Sequence, residues 1–350
     1  MKTLVTGGLG YIGSRLVERL LALGESVNVF DLQCPRRSEV AIKQVEYFSG
    51  NMLDAAAVER AMKGCTHVFH LAGYARNWAP VDETFFEVNA HGTDIVLSAA
   101  LRLGIRRVVH TSSNLTIGPS NGHLADEQTR RKNDFYTLYE RSKFESEQIA
   151  LAYNRKGLDV VIVNPARVFG PGPLNESNAV TKMMKLYLEG TWRVILGDGK
   201  AEGNYVFIED LINGYILARR HGVSGKRYIL GGENISFNRF FATLAAVSCT
   251  RRWLIHLPQT LALAFAKVEQ FLANTFGIWP LITPEWTKTF LHNWAQTSSS
   301  AEHDLGYTIT PFTDAIQQTV RWIRTSSTSQ TSNGKRGLVE PRLQIEARRR

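Results

Sequence analysis

The sequence predicts an α/β protein: a doubly wound parallel sheet followed by a smaller α/β region. Three observations carry that expectation. Up to about residue 165, β-rich runs alternate with helical patterns, the order that a parallel sheet with crossover helices requires. The β runs are apolar almost throughout, as strands buried on both faces must be. A glycine-rich turn, Gly7-Gly8-Leu9-Gly10-Tyr11-Ile12-Gly13, joins the first strand to the first helix.

Taken in order, the expected strands are Lys2–Thr6, Ser26–Phe30, Val45–Ser49, His67–Leu71, Arg107–Thr111 and Asp159–Asn164. Helical patterns fill the intervals at Ile12–Leu23, Asp54–Met62, Asp82–Leu103 and Leu138–Arg155. Gly24, Gly64, Gly104 and Gly157 follow them, each suited to a left-handed C-terminal cap. After Pro165 the rhythm breaks at Phe169-Gly170-Pro171-Gly172-Pro173, and helices mix with short strands. The expected division is therefore 1–165 for the first domain and 166–325 for a substrate-binding region. Residues 326–350, rich in Ser, Thr and Arg, read as a disordered basic tail.

Composition excludes several classes. Of 350 residues, 44% are hydrophobic and 21% charged, the balance of an ordinary soluble chain. Cys34, Cys65 and Cys249 lie far apart without ligand spacing, so neither a disulfide scaffold, a zinc ribbon nor another metal site is expected. No stretch reaches the roughly 18 apolar residues of a membrane span, and no signal peptide is visible; a cytoplasmic location is expected. The net charge of +9 suggests nucleic acid, but from Arg324 onward seven cations and two acids carry +5 of it. The body is left at +4, and no specific nucleic-acid partner is expected.

Gly7, Gly10 and Gly13 are spaced G-x-x-G-x-x-G between strand and helix. Without side chains, such a turn lets backbone N–H groups at Tyr11 and Ile12 and the positive helix end approach a pyrophosphate. Asp31 ends the second strand eighteen residues beyond Gly13. A carboxylate there accepts from both adenosine-ribose hydroxyls and repels a 2′-phosphate, which favours NAD over NADP. Arg36 and Arg37 follow closely and read as a solvated loop.

Tyr139 and Lys143 stand one helical turn apart on one face. A free tyrosine, with a pKa of about 10, is a poor base near neutrality; a neighbouring ammonium and an oxidised nicotinamide would pull that value down. Upstream, Thr111-Ser112-Ser113 closes a strand of the same sheet, at the carboxyl edge that faces a cofactor crevice. A hydroxyl at Ser113 can hold a substrate oxygen against the tyrosine. Alone, each of these is also what a helix surface or a strand exit looks like.

Together they resemble the extended short-chain dehydrogenase/reductase family, also called the NAD-dependent epimerase/dehydratase family, from Met1 to about Trp322. The resemblance includes His70-Leu71-Ala72-Gly73, Asn89-Ala90-His91-Gly92-Thr93, Asn164-Pro165-Ala166-Arg167-Val168-Phe169-Gly170-Pro171, Leu196-Gly197-Asp198-Gly199 and Val206-Phe207-Ile208-Glu209-Asp210. It implies a Rossmann-like NAD-binding domain in which Ser113 polarises the substrate oxygen, Tyr139 is the acid/base and Lys143 binds the nicotinamide ribose. It further implies that Asn51, Met52, Leu71, Ala72 and Gly73 line the adenine and pyrophosphate path, with Asn89 a buried polar brace. Pro165 to Val168 would flank the nicotinamide. Homodimerisation through the Asp82–Leu103 and Leu138–Tyr153 helices is a further implication.

Departures from the family pattern narrow the reaction. Asn114-Leu115 follow Ser113 where dehydratases of the family carry an acidic pair, so dehydration is not expected. Gly203 stands where nucleotide-sugar members often carry an arginine for the diphosphate. The apolar segment Leu257–Pro284 is similar to an insertion over the substrate pocket of dihydroflavonol-reductase-like and 3β-hydroxysteroid-dehydrogenase-like members; a core helix is the equal alternative. Phe271 and Phe276 from this segment, with Tyr74, Trp78, Asn114 and Asn164, are the candidate substrate contacts, and Trp192 adds aromatic surface. The expected function is an NAD-dependent oxidoreductase interconverting a secondary alcohol and a ketone on a fairly apolar small molecule. A nucleotide-sugar 4-epimerase and a non-catalytic NAD-bound regulator are the alternatives.

Overall fold

A computed structural model describes residues 1–33, 44–120 and 122–332. Cys34, Arg36, Arg37 and residues 333–350 lie outside the described residues.

Strand β1 (Lys2–Thr6) passes through the glycine turn into α1 (Tyr11–Ala22), followed by β2 (Ser26–Asp31), β3 (Val45–Ser49) and α2 (Ala55–Met62). Asp54 caps α2, its carboxylate accepting from the N–H groups of Ala56 and Ala57. Strand β4 (His67–His70) leads into one helical run: α3 (Glu83–Phe86), a π-helical turn at Glu87–His91, and α4 (Gly92–Arg102). Then come β5 (Arg107–Thr111), α5 (Leu138–Arg155) and β6 (Val160–Pro165).

The second half comprises β7 (Arg167–Phe169), α6 (Ala179–Glu189), β8 (Val194–Leu196), β9 (Glu202–Phe207), α7 (Ile208–His221), β10 (Arg227–Leu230), β11 (Glu233–Ser236) and α8 (Phe237–Ser248). It continues with β12 (Ile255–Leu257), α9 (Gln259–Phe276), α10 (Pro284–Leu291), α11 (Ser299–Leu305) and α12 (Phe312–Ser332).

Seven parallel strands form the main sheet in the order β10-β6-β5-β4-β1-β2-β3. Strand order reverses between β1 and β4, the switch point at which α/β sheets open a crevice. The strands are buried on both faces with period two. Val5, Val29, Phe69, Val109 and Val161 pack with Leu16 and Leu20 of α1 and Leu211 and Tyr215 of α7. Leu4, Phe30, Val68, Val108 and Val160 pack the other way, on Val58 and Met62 of α2 and Val96 and Leu97 of α4.

The expected division at residue 165 needs one amendment. The edge strand β10 pairs with β6 from beyond that boundary, and α7 covers the same sheet. A four-residue edge strand amid irregular sequence has no alternation to betray it. At the other end α12 runs to Ser332, past residue 326, where the sequence reading starts a tail.

Candidate active site

The glycine turn is shaped by close backbone approach. Gly7 has φ +70°, and a Cβ there would lie 2.8 Å from the Ala72 nitrogen; one on Gly13 would lie 2.1 Å from the Gly7 carbonyl oxygen. At Gly10 a Cβ would meet only the Gly7 carbonyl oxygen, at 3.2 Å, so the rest of its surroundings are open. Gly10 is the N-cap of α1, no side chain caps that end, and no acid lies in the first turn. The positive helix end is therefore available to an anion. Tyr11 contributes its backbone here, because its ring is buried and its hydroxyl donates to the Gly170 carbonyl at 3.1 Å.

Asp31 is fixed beside this turn: one carboxylate oxygen accepts from Leu9 N–H (3.0 Å), the other from Leu32 N–H (2.8 Å). Burial raises its pKa while those two N–H groups pull the other way. Leu71, Ala72 and Gly73 leave β4 on the same edge, with Ala72 N–H bonded to the Thr6 hydroxyl. Met52 packs beneath Gly92, where a Cβ would lie 2.6 Å from its methyl, and exposed Asn51 accepts from Leu53 N–H. Pro165 ends β6 and Val168, half-buried, lies in β7.

Three candidate groups converge at the ends of β5 and α5. Thr137 caps α5, accepting from Glu140 N–H at 3.0 Å, which sets the first turn that carries Tyr139. Ser113, whose hydroxyl accepts from Leu115 N–H at 3.3 Å, is close enough to the Tyr139 hydroxyl to bear on its titration. Burial pushes the phenol up to about 12, with Ser113 opposing and Glu140 reinforcing the rise. The expected lowering by Lys143 is thus absent among this chain's own groups, and the reason is local. Buried Lys143 donates to the Thr111 carbonyl at 2.6 Å, and burial brings its own pKa down to about 8, against the pull of Glu147. His70 and His110 pack ring to ring, 5.4 Å apart. Burial and the Lys143 charge hold both well below the usual imidazole range, His70 at about 3. They stay neutral and serve as hydrogen-bonding spacers.

Glu147, one turn beyond Lys143, was not among the residues the sequence pointed to. Fully buried, it accepts from Ser112 (2.5 Å), Thr116 (2.8 Å) and Asn164 (2.7 Å), and pairs with Arg227 (3.3 Å). Asn164 also donates to the Ser113 carbonyl at 3.0 Å. Asn164 is therefore a buried brace of the Ser113 segment, where the sequence reading has it as a substrate contact. Asn114 is likewise buried, in a reciprocal pair with Gln296 (2.8 and 3.1 Å). Asn89, in the π-helical turn, accepts from Tyr74 N–H (2.7 Å) and donates to the Ser142 hydroxyl (2.9 Å).

The site is met by α10, which begins where the apolar segment Leu257–Pro284 ends, and not by α9. Trp286 of α10 stacks on Tyr139, ring centroids 6.1 Å apart. Phe290 lies next to Trp286 and 5.1 Å from the Arg167 guanidinium. Arg167 in turn occupies the space above Gly203, where a Cβ would lie 2.3 Å from its Nη1. Tyr74 donates to the Trp78 carbonyl, and Trp78 meets Trp279 edge-on and donates to Asn274. These two aromatics tie the loop after β4 to the far end of α9. Trp192 packs against the core beside β8. Phe271 and Phe276 are 64% and 66% exposed, so neither the pocket nor the core expectation describes them. Helix α9 buries its small side chains, Ala262, Ala266 and Ala273, and turns the large ones outward.

The geometry has close counterparts. The profile of the NAD dependent epimerase/dehydratase family matches residues 3–231. Sterol demethylase protein B of Methylococcus capsulatus is 30% identical over 93% of this chain and 98% of its own length. A 3 beta-hydroxysteroid dehydrogenase/Delta 5-->4-isomerase of Mycobacterium tuberculosis is 31% identical over 72% of this chain and 70% of its own. Among solved structures, the UDP-glucose 4-epimerase of Thermus thermophilus, crystallised with NAD, superposes with a TM-score of 0.74 at 25% identity, over 93% of this chain and 99% of that one. The chain belongs to the NAD-dependent epimerase/dehydratase family and is an enzyme of the extended short-chain dehydrogenase/reductase type.

Proposed function

We propose that this enzyme interconverts a secondary alcohol and a ketone on a fairly apolar small molecule, using NAD. The observation that carries the reading is Tyr139, its ring stacked on Trp286 and its hydroxyl beside Ser113, one helical turn before buried Lys143. The names of two relatives, a sterol demethylase protein and a 3 beta-hydroxysteroid dehydrogenase, support the apolar substrate.

The residues fit a dinucleotide. The open side of Gly10 and the uncapped start of α1 would receive the pyrophosphate, Asp31 the adenosine ribose and Lys143 the nicotinamide ribose. NAD when bound supplies the carrier of the two electrons that leave or join the carbinol carbon. Ser113 and Tyr139 hold the substrate oxygen. With its pKa raised, Tyr139 is a neutral phenol near pH 7, ready to give its proton to a ketone oxygen; in the oxidative direction it takes that proton back. Trp286 shields this exchange from water.

Asp31→Ala should narrow the preference for NAD over NADP, measured as the ratio of the two dissociation constants. An unmodified chain that binds NADP as tightly as NAD would contradict the role of Asp31. The reaction itself is tested by incubating the enzyme and NAD with sterols, flavonoids, long-chain hydroxy-ketones and sugar nucleotides while following reduced cofactor. Net reduced cofactor with an apolar alcohol is the expected result; silence throughout despite tight NAD binding would favour a regulator.

One observation favours a second reading, a nucleotide-sugar 4-epimerase. Arg167 fills the space above Gly203, and its Nη2 is buried with no hydrogen-bond partner among the described residues. Its Nη1 donates to the Tyr205 hydroxyl at 3.3 Å, and the free Nη2 would suit a diphosphate oxygen. Isomerised sugar without accumulated reduced cofactor is the outcome this reading predicts.

A further inference from the structure

Of eighteen large apolar side chains exposed among the described residues, ten fall between Trp253 and Leu281. Trp253 is 77% exposed, followed by Ile255 on β12, Leu261, Phe265, Val268, Phe271 and Phe276 on α9, and Ile278, Trp279 and Leu281 beyond it. At about 100° per residue, the five on α9 fall within an arc of roughly 140°, whose centre lies about 130° around the helix from the three alanines that pack inward. Scattered apolar residues need no explanation, but five on one side of a single helix mark an interaction surface.

Charge identifies the occupant. Glu269 is the one acid between Trp253 and Leu281, and its carboxylate is engaged by Leu281 N–H at 2.9 Å. Arg251 precedes Trp253 by two residues and Lys267 lies within α9, whereas Arg252 is held by the Leu188 carbonyl at 2.7 Å. Arg324 of α12 donates to the Ser248 carbonyl at 2.6 Å, three residues before Arg251. A second copy of the chain on this face would set these cations against their own kind. A membrane with anionic headgroups satisfies both halves: apolar side chains enter the acyl boundary, tryptophans sit at headgroup level, and cations meet the surface charge. No helix among the described residues is long and apolar enough to cross a membrane, so the contact is interfacial.

We propose that α9 and its flanking segments dock flat on the surface of an anionic bilayer. The proposal stands without the substrate reading above, although the two connect: α10, which packs on α9, carries Trp286 against Tyr139. The test is co-sedimentation of the full chain with phosphatidylcholine vesicles, with and without phosphatidylglycerol. The wild type should partition onto the phosphatidylglycerol vesicles. Leu261→Ser/Phe265→Ser, both at exposed positions, should bind them at least tenfold more weakly with an unchanged melting temperature. Wild type left in the supernatant, or a variant that binds as the wild type does, would overturn the proposal. Equal binding to neutral vesicles would overturn the anionic assignment. A variant that changes the sedimentation velocity of the lipid-free protein would show a second copy as the occupant instead.

Discussion

Tyr139→Phe should lower turnover by about 10²–10⁴-fold, the usual worth of a general acid–base group, with NAD affinity unchanged. The ring and its stacking on Trp286 survive the substitution; only the transferable proton goes. The pH dependence has a definite sign. A phenol raised to about 12 by burial is almost wholly protonated at neutral pH, so alcohol oxidation should rise with pH as the phenolate fraction grows. Ketone reduction, which uses the phenol, should be flat over the same range. Lys143, brought down to about 8, loses its charge above that pH, so cofactor affinity should weaken there. Near-normal turnover in Tyr139→Phe, or oxidation that falls from pH 6 to 8, would contradict the assignment.

Glu147→Ala should cost about 3–5 kcal/mol of stability, the range for breaking a buried ion pair by removing one partner. Arg227 would lose its carboxylate, and Ser112, Thr116 and Asn164 their shared acceptor. Because Asn164 also holds the Ser113 carbonyl, turnover of the folded fraction should fall too. Glu147→Gln keeps an acceptor and should cost less. Urea denaturation of the three proteins measures the difference. A loss under about 1 kcal/mol for the alanine variant would mean that water replaces the carboxylate without strain.

The parts of the molecule legible in the sequence are those whose physics is local. Apolar runs buried on both faces announce β1 to β6, and a turn that must bring Gly7, Gly10 and Gly13 against backbone leaves a spacing no side chain can imitate. Tyr139 and Lys143 are visible because one helical turn separates them. What was not legible depends on distant partners. Glu147 looks like any helix carboxylate until Asn164 and Arg227 come from other strands to meet it. Trp286 is one aromatic among many until α10 lies on α5. The large apolar residues of α9 were read as pocket or core, because hydrophobicity alone does not tell an outward face from an inward one. The three alanines on its inward side were the available signal, since small residues at helical spacing allow close packing.

The central claim is that Tyr139 and Ser113 exchange a proton with a secondary carbinol while its hydrogen passes to NAD. It is tested most directly with an apolar secondary alcohol deuterated at the carbinol carbon, incubated with NAD and followed by mass spectrometry of both cofactor and substrate. The account predicts deuterium in the reduced cofactor, one ketone formed for each label transferred, and loss of the transfer in Tyr139→Phe. Deuterium that stays in an alcohol recovered unchanged, while a labelled sugar nucleotide is isomerised with its deuterium retained and no ketone released, would contradict it.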